Sequence, residues 1–395
     1  MAEAYIVDAV RTAGGRRAGK LTGWHPADMG GVVLDALVGR TGIDPSAIED
    51  VVVGCVGQVG EQSFHIGRNC VLASSLPESV PAVSIDRQCG SSQQALQFAA
   101  QAVMSGTQDV VIAAGVESMT RVPMGSPSKL AQDAGLGTSK SPRMEERYPG
   151  VQFSQFMGAE MMAEKYGFSR EELDAFALES HRRAAHATES GAFKNEIVPL
   201  EIDGPDGAKF MHDVDEGIRF DATAESIGSV KLLQEGGRIT AANASQICDG
   251  ASGAIVVSEA ALKEHGLTPM ARIHNLTVTG GDPVIMLEEP IGATRRALER
   301  AGMSIDDIDL YEVNEAFGSV PLAWAKALNA DPDKLNVNGG AQSLGHPLGG
   351  TGAKLMTTLV HELERRQARY GLVAICEGGG TANAMIIERM NQLDS

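Results

Sequence analysis

A faint internal repeat, offset by 260 residues, limits the architectures open to this 395-residue chain. Gly42-Ile43-Asp44 and the run Ile48–Val53 fall on Gly302-Met303-Ser304 and the run Ile308–Val313. The same shift places Cys89 on Gly349, and Val111–Glu117 on Gly371–Glu377. Identity within each pair is low, but three segments sharing one offset point to a duplicated fold. Duplication also accounts for a length that exceeds one ordinary core.

Short apolar runs alternate with helical patterns. Ala4–Ala9, Asp50–Val56 and Val110–Val116 are expected strands. Cys89–Met104 is an expected helix, with Ala95, Leu96, Phe98, Ala99, Ala102 and Val103 at helical spacing. That order implies an α/β fold with covered sheet faces. Residues 120–247 differ, being richer in Met, Gly and charge, and read as an insertion over the active face. Within them Ser169–Ser190 is an expected amphipathic helix opened by a Ser169/Glu172 capping box. Pro205–Gly217 is an expected acidic loop. The division is therefore 1–119 with 248–269, an inserted 120–247, and 270–395.

The net charge of −18 repels phosphate backbones and argues against nucleic-acid binding. An anionic small substrate would need a local basic patch. The five cysteines are scattered, odd in number and form no CxxC pair. Neither a disulfide framework nor a zinc site follows, and a reducing compartment such as the cytoplasm fits. No apolar run approaches the roughly 20 residues that span a bilayer. Met1–Ala4 runs into a strand without a signal-peptide pattern, and Asn391–Ser395 is not a peroxisomal address. Neither a GxGxxG nor a Walker sequence is present, so no metal or redox cofactor is expected.

Four short segments carry chemistry. In Asp86-Arg87-Gln88-Cys89-Gly90-Ser91-Ser92 a cysteine sits where a strand gives way to a helix, whose free N–H groups favour a thiolate. A lone cysteine is nevertheless more often buried and inert. In Asn338-Gly339-Gly340 through Gly345-His346-Pro347, His346 lies in a glycine-rich loop before a helix and could activate a thiol. Cys376-Glu377-Gly378-Gly379-Gly380 ends a strand in a second cysteine and glycines whose N–H groups can meet an oxyanion. Asn314, in Val313-Asn314-Glu315-Ala316-Phe317, can hold a water or polarise a carbonyl, although taken alone it reads better as a helix cap.

Together these segments resemble the thiolases, from Val10-Arg11-Thr12 near the start to the final glycine run. The resemblance implies a duplicated αβαβα layered fold with an inserted loop domain that binds coenzyme A. It implies an acyltransferase in which Cys89 is acylated and His346 takes its proton. Cys376 would act as acid or base on the α-carbon. Asn314 and His346 would stabilise the enolate, and the N–H groups of Cys89 and Gly378 would form the other oxyanion hole. Arg219 and Ser226 would lie near the nucleotide of CoA, and Met157 and Ser245 near the substrate. The family is dimeric or tetrameric, so a homodimer or homotetramer is expected, with CoA serving as substrate rather than cofactor.

Two departures bear on specificity. Phe156-Met157-Gly158 stands where short-chain biosynthetic thiolases typically carry His-Met-Gly, which favours longer or bulkier 3-oxoacyl chains over acetoacetyl-CoA. Glu377 follows Cys376 where the family often has a small or apolar residue, and strand alternation points its carboxylate away, into solvent. The alternatives are a condensing acetyl-CoA acetyltransferase, a ketoacyl synthase of related fold, and a non-catalytic acyl-CoA binder.

Overall fold

The computed structural model describes residues 2–204 and 207–390. Nine strands follow one path, in the order Leu310–Val313, Tyr370–Glu377, Thr381–Arg389, Ala271–Gly280, Ala4–Thr12, Cys248–Ser258, Val110–Ser118, Asp50–Gly54 and Ala82–Ile85. The path is two copies of one arrangement, joined where Tyr5 and Ile6 pair antiparallel with Arg272 and Ala271. In the first copy Asp50–Val53 pair parallel with Val111–Ala114. In the second, Leu310–Val313 pair parallel with Gly371–Ala374, so the register repeats at the sequence offset. The counterpart of the edge strand Ala82–Ile85 is instead a helical turn, Ala341–Leu344.

Period-two alternation sorts each strand onto two faces. From the first copy Ala4, Ile6, Val111, Ala113, Ala254 and Val256 face inward; from the second, Val373, Ile375, Met385 and Ile387 do so. Both inner faces cover the same two helices, Ser91–Ser105 and Thr351–Arg366, which are themselves offset counterparts. The outer faces are covered by Pro26–Thr41 on the first copy, and by Pro290–Ala301 and Ser319–Leu328 on the second. The result is the expected αβαβα layering. The buried helices cross so closely that a Cβ on Gly352 would lie 2.2 Å from the Gln93 backbone nitrogen. Ala353 N–H donates to Ser92 Oγ at the same crossing, at 2.8 Å.

The helix expected from Cys89 begins at Ser91, with Gly90 as its cap, so the cysteine precedes the helix rather than opening it. The Ser169/Glu172 capping box forms as read, and Arg170–Glu189 buries Leu173, Ala177 and Ser180. The expected loop at Pro205–Gly217 is partly wrong. Lys209–His212 is a strand pairing with Leu200–Asp203, while residues 205–206 and 391–395 lie outside the described residues. No described helix is long and apolar enough to cross a membrane.

The segment inserted into the first copy, between Val110–Ser118 and Cys248–Ser258, is fastened by buried cations, chiefly Arg11, with Lys354 3.7 Å from Asp215. Arg11 donates to Glu196 at 2.6 Å and, through both terminal nitrogens, to Asp215 at 2.8 and 3.0 Å. All three side chains are buried. Removing the guanidinium would leave Asp215 with only the Gly14 N–H and Lys354, 3.7 Å away, and Glu196 with the Thr358 hydroxyl, so both buried carboxylates would lose their strongest partner. Arg11→Met is therefore expected to lower unfolding free energy by about 3–5 kcal/mol, checked by the urea midpoint; an unchanged midpoint would show that the pair is not an anchor.

Candidate active site

Four chain segments end at the same side of the sheets. Ala82–Ile85 leads into the turn Asp86–Gly90, and the Gln88 backbone there has φ 47°, a strained conformation for a non-glycine residue. Tyr370–Glu377 ends in Cys376 and Glu377 before the glycine turn to Thr381–Arg389. Asn314 follows Leu310–Val313, and His346 follows Ala341–Leu344. Asn314 is not a helix cap, since the next helix starts at Ser319 behind Gly318.

Cys89, Cys376 and Gly378 line one cavity of about 580 Å³, with Gln88, Glu117, Met124, Phe153, Met286 and Leu287. His346 and Ser245 line a second cavity of about 460 Å³, with Phe156, Leu233, Arg16 and Arg17. Met119, Met124, Gln155 and Leu348 line both, so the two cavities adjoin across these side chains. The N–H groups of Cys89 and Gly378 are not taken by backbone acceptors among the described residues, whereas those of Gly90 and Ser91 close turns onto Arg87 and Gln88.

Hydrogen bonding sets the tautomer of His346. The Thr351 hydroxyl has one proton and donates it to the Pro347 carbonyl at 2.9 Å. It must therefore accept from His346 Nδ1, 2.5 Å away. That leaves Nε2 with its lone pair, 3.5 Å from the Asn314 amide nitrogen. Asn314 is buried, and its amide oxygen has no partner in the protein. Burial, with Lys354 nearby, lowers His346 to about 3, so the resting imidazole is neutral.

The two thiols move the other way. Burial first, then the charge of Glu377, pushes Cys89 up to about 12. Burial and the neighbouring Cys89 and Glu377 hold Cys376 well above the usual thiol range. Cys89 is thus a protonated thiol, not the helix-stabilised thiolate that the sequence suggested, because desolvation outweighs the nearby helix end.

Other expected residues separate from this centre. Ser226 lines neither cavity, and its hydroxyl is used locally, donating to Thr223 O at 2.9 Å and accepting from Thr223 N–H at 3.0 Å. Arg219 is exposed and also lines neither cavity. Met157 is exposed on the helix Gln155–Tyr166, while its neighbour Phe156 lines the second cavity, edge-on to Phe317 at 5.4 Å. Glu377 corrects the sequence reading. It points away from the cavity as alternation requires, but into the protein, where it is fully buried against Gly90 rather than solvated.

The sequence reading missed Glu117, Thr351, Arg16 and Arg17. Glu117 accepts from the N–H groups of Val56, Gly57 and Gly349, each at 2.9 Å, and from Gln62 Nε2 at 2.8 Å. It ties the loop after His346 to the first copy of the fold. The offset that matches Glu117 with Glu377 was the available signal.

The structure resembles the crystal structure of human mitochondrial 3-ketoacyl-CoA thiolase, with a TM-score of 0.90, 36% identity, and coverage of 98% of this chain and 99% of that one. A Mycobacterium tuberculosis protein named steroid 3-ketoacyl-CoA thiolase is 51% identical over 99% of this chain and 95% of its own length. A Cronobacter sakazakii 3-ketoacyl-CoA thiolase is 41% identical over 99% of this chain and 100% of its own. The family models for the thiolase N-terminal and C-terminal domains match residues 4–260 and 267–389, and the chain belongs to the thiolase family of acyltransferases.

Proposed function

We propose that this thiolase cleaves 3-oxoacyl-CoA with CoA, giving acetyl-CoA and an acyl-CoA shortened by two carbons. Cys89 sulfur attacks the 3-oxo carbon as His346 Nε2 takes the thiol proton. The bond between carbons 2 and 3 breaks, leaving an acyl-Cys89 thioester and the enolate of acetyl-CoA. Asn314, through a water, and His346 stabilise that enolate, and Cys376 gives the α-carbon a proton. Incoming CoA thiol transfers its proton to Cys376, its sulfur takes the acyl group from Cys89, and the released Cys89 sulfur takes its proton back from His346. The N–H groups of Cys89 and Gly378 stabilise the tetrahedral oxyanions. With both resting partners neutral, proton transfer from Cys89 accompanies attack rather than preceding it.

The observation that carries this reading is the opening of both thiols onto one cavity and of a neutral imidazole onto the adjoining one. Residues 120–247 are read as the part that holds CoA. Ser245 and Met157 serve the pantetheine end, and Arg219 and Ser226 the nucleotide end. The bulky acyl group fits the apolar end of the first cavity, lined by Met124, Phe153, Met286 and Leu287. The names of the relatives agree with a degradative, 3-oxoacyl-directed enzyme. A homodimer or homotetramer is expected, and the edge strand Ala82–Ile85, with Val83 and nearby Phe64 exposed, offers a surface for it. The cytoplasm suits its five free thiols.

Cys376→Ala is expected to retain an acyl adduct on Cys89, read by intact mass after incubation with acyl-CoA. Its thiolysis and condensation rates should fall by about 10²–10⁴. Full turnover in this variant would instead favour a synthase-type site. Across 3-oxoacyl-CoA lengths, kcat/KM should rise beyond the four-carbon substrate; preference for acetoacetyl-CoA alone would contradict the degradative reading. Because His346 is lowered to about 3, it stays neutral above about pH 4. Its ring proton shifts in NMR should be flat from pH 5 to 8, whereas titration near 6.5 would show that burial does not suppress protonation.

A further inference from the structure

The duplication sets two carboxylates at equivalent places, Glu117 in the first copy and Glu377 in the second, each near the end of a central strand. Each faces the loop that opens the other copy's buried helix. Glu117 meets Gly349, the counterpart of Cys89, and both its oxygens are saturated by N–H donors. Glu377 meets Gly90, and its environment is unlike that of its twin. One oxygen accepts from Thr381 Oγ1 at 2.7 Å, with Arg87 Nη1 4.0 Å away. The other, Oε1, is buried without a partner. Asn383 Oδ1 and Arg87 Nε are likewise buried and unpartnered. These groups gather around one point. A Cβ built on Gly90 would lie 2.0 Å from Glu377 Oε1 and 3.1 Å from Asn383 Nδ2, so the carboxyl occupies the space a side chain would need next to Cys89.

We propose that Glu377 is a positioning residue for the reaction: its neutral carboxyl supports the Arg87–Gly90 turn and leaves Cys89 able to ionise, whereas its carboxylate opposes the Cys89 thiolate. Glu117 is held through both oxygens by four N–H donors, whereas Glu377 has one hydrogen-bond donor and a distant guanidinium, which suits the acid form. Burial raises its carboxyl to about 7, against the opposing effects of Thr381 and Arg87. The charged or titratable groups facing it are Arg87, Asp86 and Cys89 from the turn, and Cys376 from its own strand. The next strand contributes only the uncharged Thr381 and Asn383. Its ionisation therefore adds a negative charge beside both thiols as pH rises through neutrality.

This inference rests on Cys89 being the nucleophile, but its test does not require turnover. Iodoacetamide alkylation of Cys89, identified by peptide mass, is followed from pH 6 to 9 in the wild type and in Glu377→Gln. At pH 6 the two rates should agree within about twofold, because both side chains are then neutral. At pH 9 the variant should react about three- to tenfold faster, corresponding to half a unit to one unit in thiol ionisation. A rate ratio independent of pH would overturn the proposal and leave Glu377 a structural group. Thr381→Val gives a second reading, which decides if the Gln variant does not fold. Loss of its hydroxyl removes a bond to the carboxylate, so the inflection in the alkylation profile should move to higher pH; an unmoved inflection would assign it to another group. Failure of acyl-CoA to label Cys89 would sink the nucleophile assignment while leaving this pH response measurable.

Discussion

The contact on which the site depends is the crossing of the two buried helices, Ser91–Ser105 and Thr351–Arg366. Each begins just after a loop that carries reactive chemistry, Cys89 on one side and His346 on the other. Their close approach near these ends brings loops about 260 residues apart in the chain into one space. Gly352 makes it possible, because any side chain there would meet the Gln93 backbone. The Ser92–Ala353 hydrogen bond then fixes the crossing. Packing density of this kind does not permit a small shift to be absorbed locally, so an error here would reach every reacting group.

Burial governs the electrostatics that follow. The same desolvation keeps His346 neutral and both thiols protonated, and it makes each remaining carboxyl matter. Glu117 is compensated by N–H groups drawn from both copies of the fold, so its burial holds the His346 loop against the first sheet. Glu377 is compensated far less, and its state is coupled to the thiols. A site that must carry negative charge only transiently is well served by neutral resting groups and backbone N–H donors that need no reorganisation.

Much of this was legible in the chain. The offset of 260 anticipated a duplicated fold, and the two parallel pairs repeat at that same offset because a duplicated backbone must keep its pairing to keep its core. The capping box at Ser169 and Glu172 formed because its donors and acceptors are local. Cys89, His346 and Cys376 stood out because each lies at an element end beside or just before glycines, and Asn314 because it follows a strand in Asn314-Glu315-Ala316-Phe317. Local signals failed where the deciding partner was distant. The helix start moved from Cys89 to Ser91, since the Asp86–Gly90 turn is held partly by Glu377 and Asn383 from the other copy. Ser226 and Arg219 were placed by resemblance alone, and local capping competes for the Ser226 hydroxyl.

Glu377 marks the boundary between the two kinds of information. Alternation along a strand is a property of covalent geometry, so the sequence alone determined that its side chain leaves the face occupied by Cys376. Whether that opposite face meets water or protein depends on which layer packs there. Only the tertiary structure decided that it meets Gly90, the residue after Cys89, because burial is set by contacts between the two halves of the duplicated fold and no local pattern encodes them.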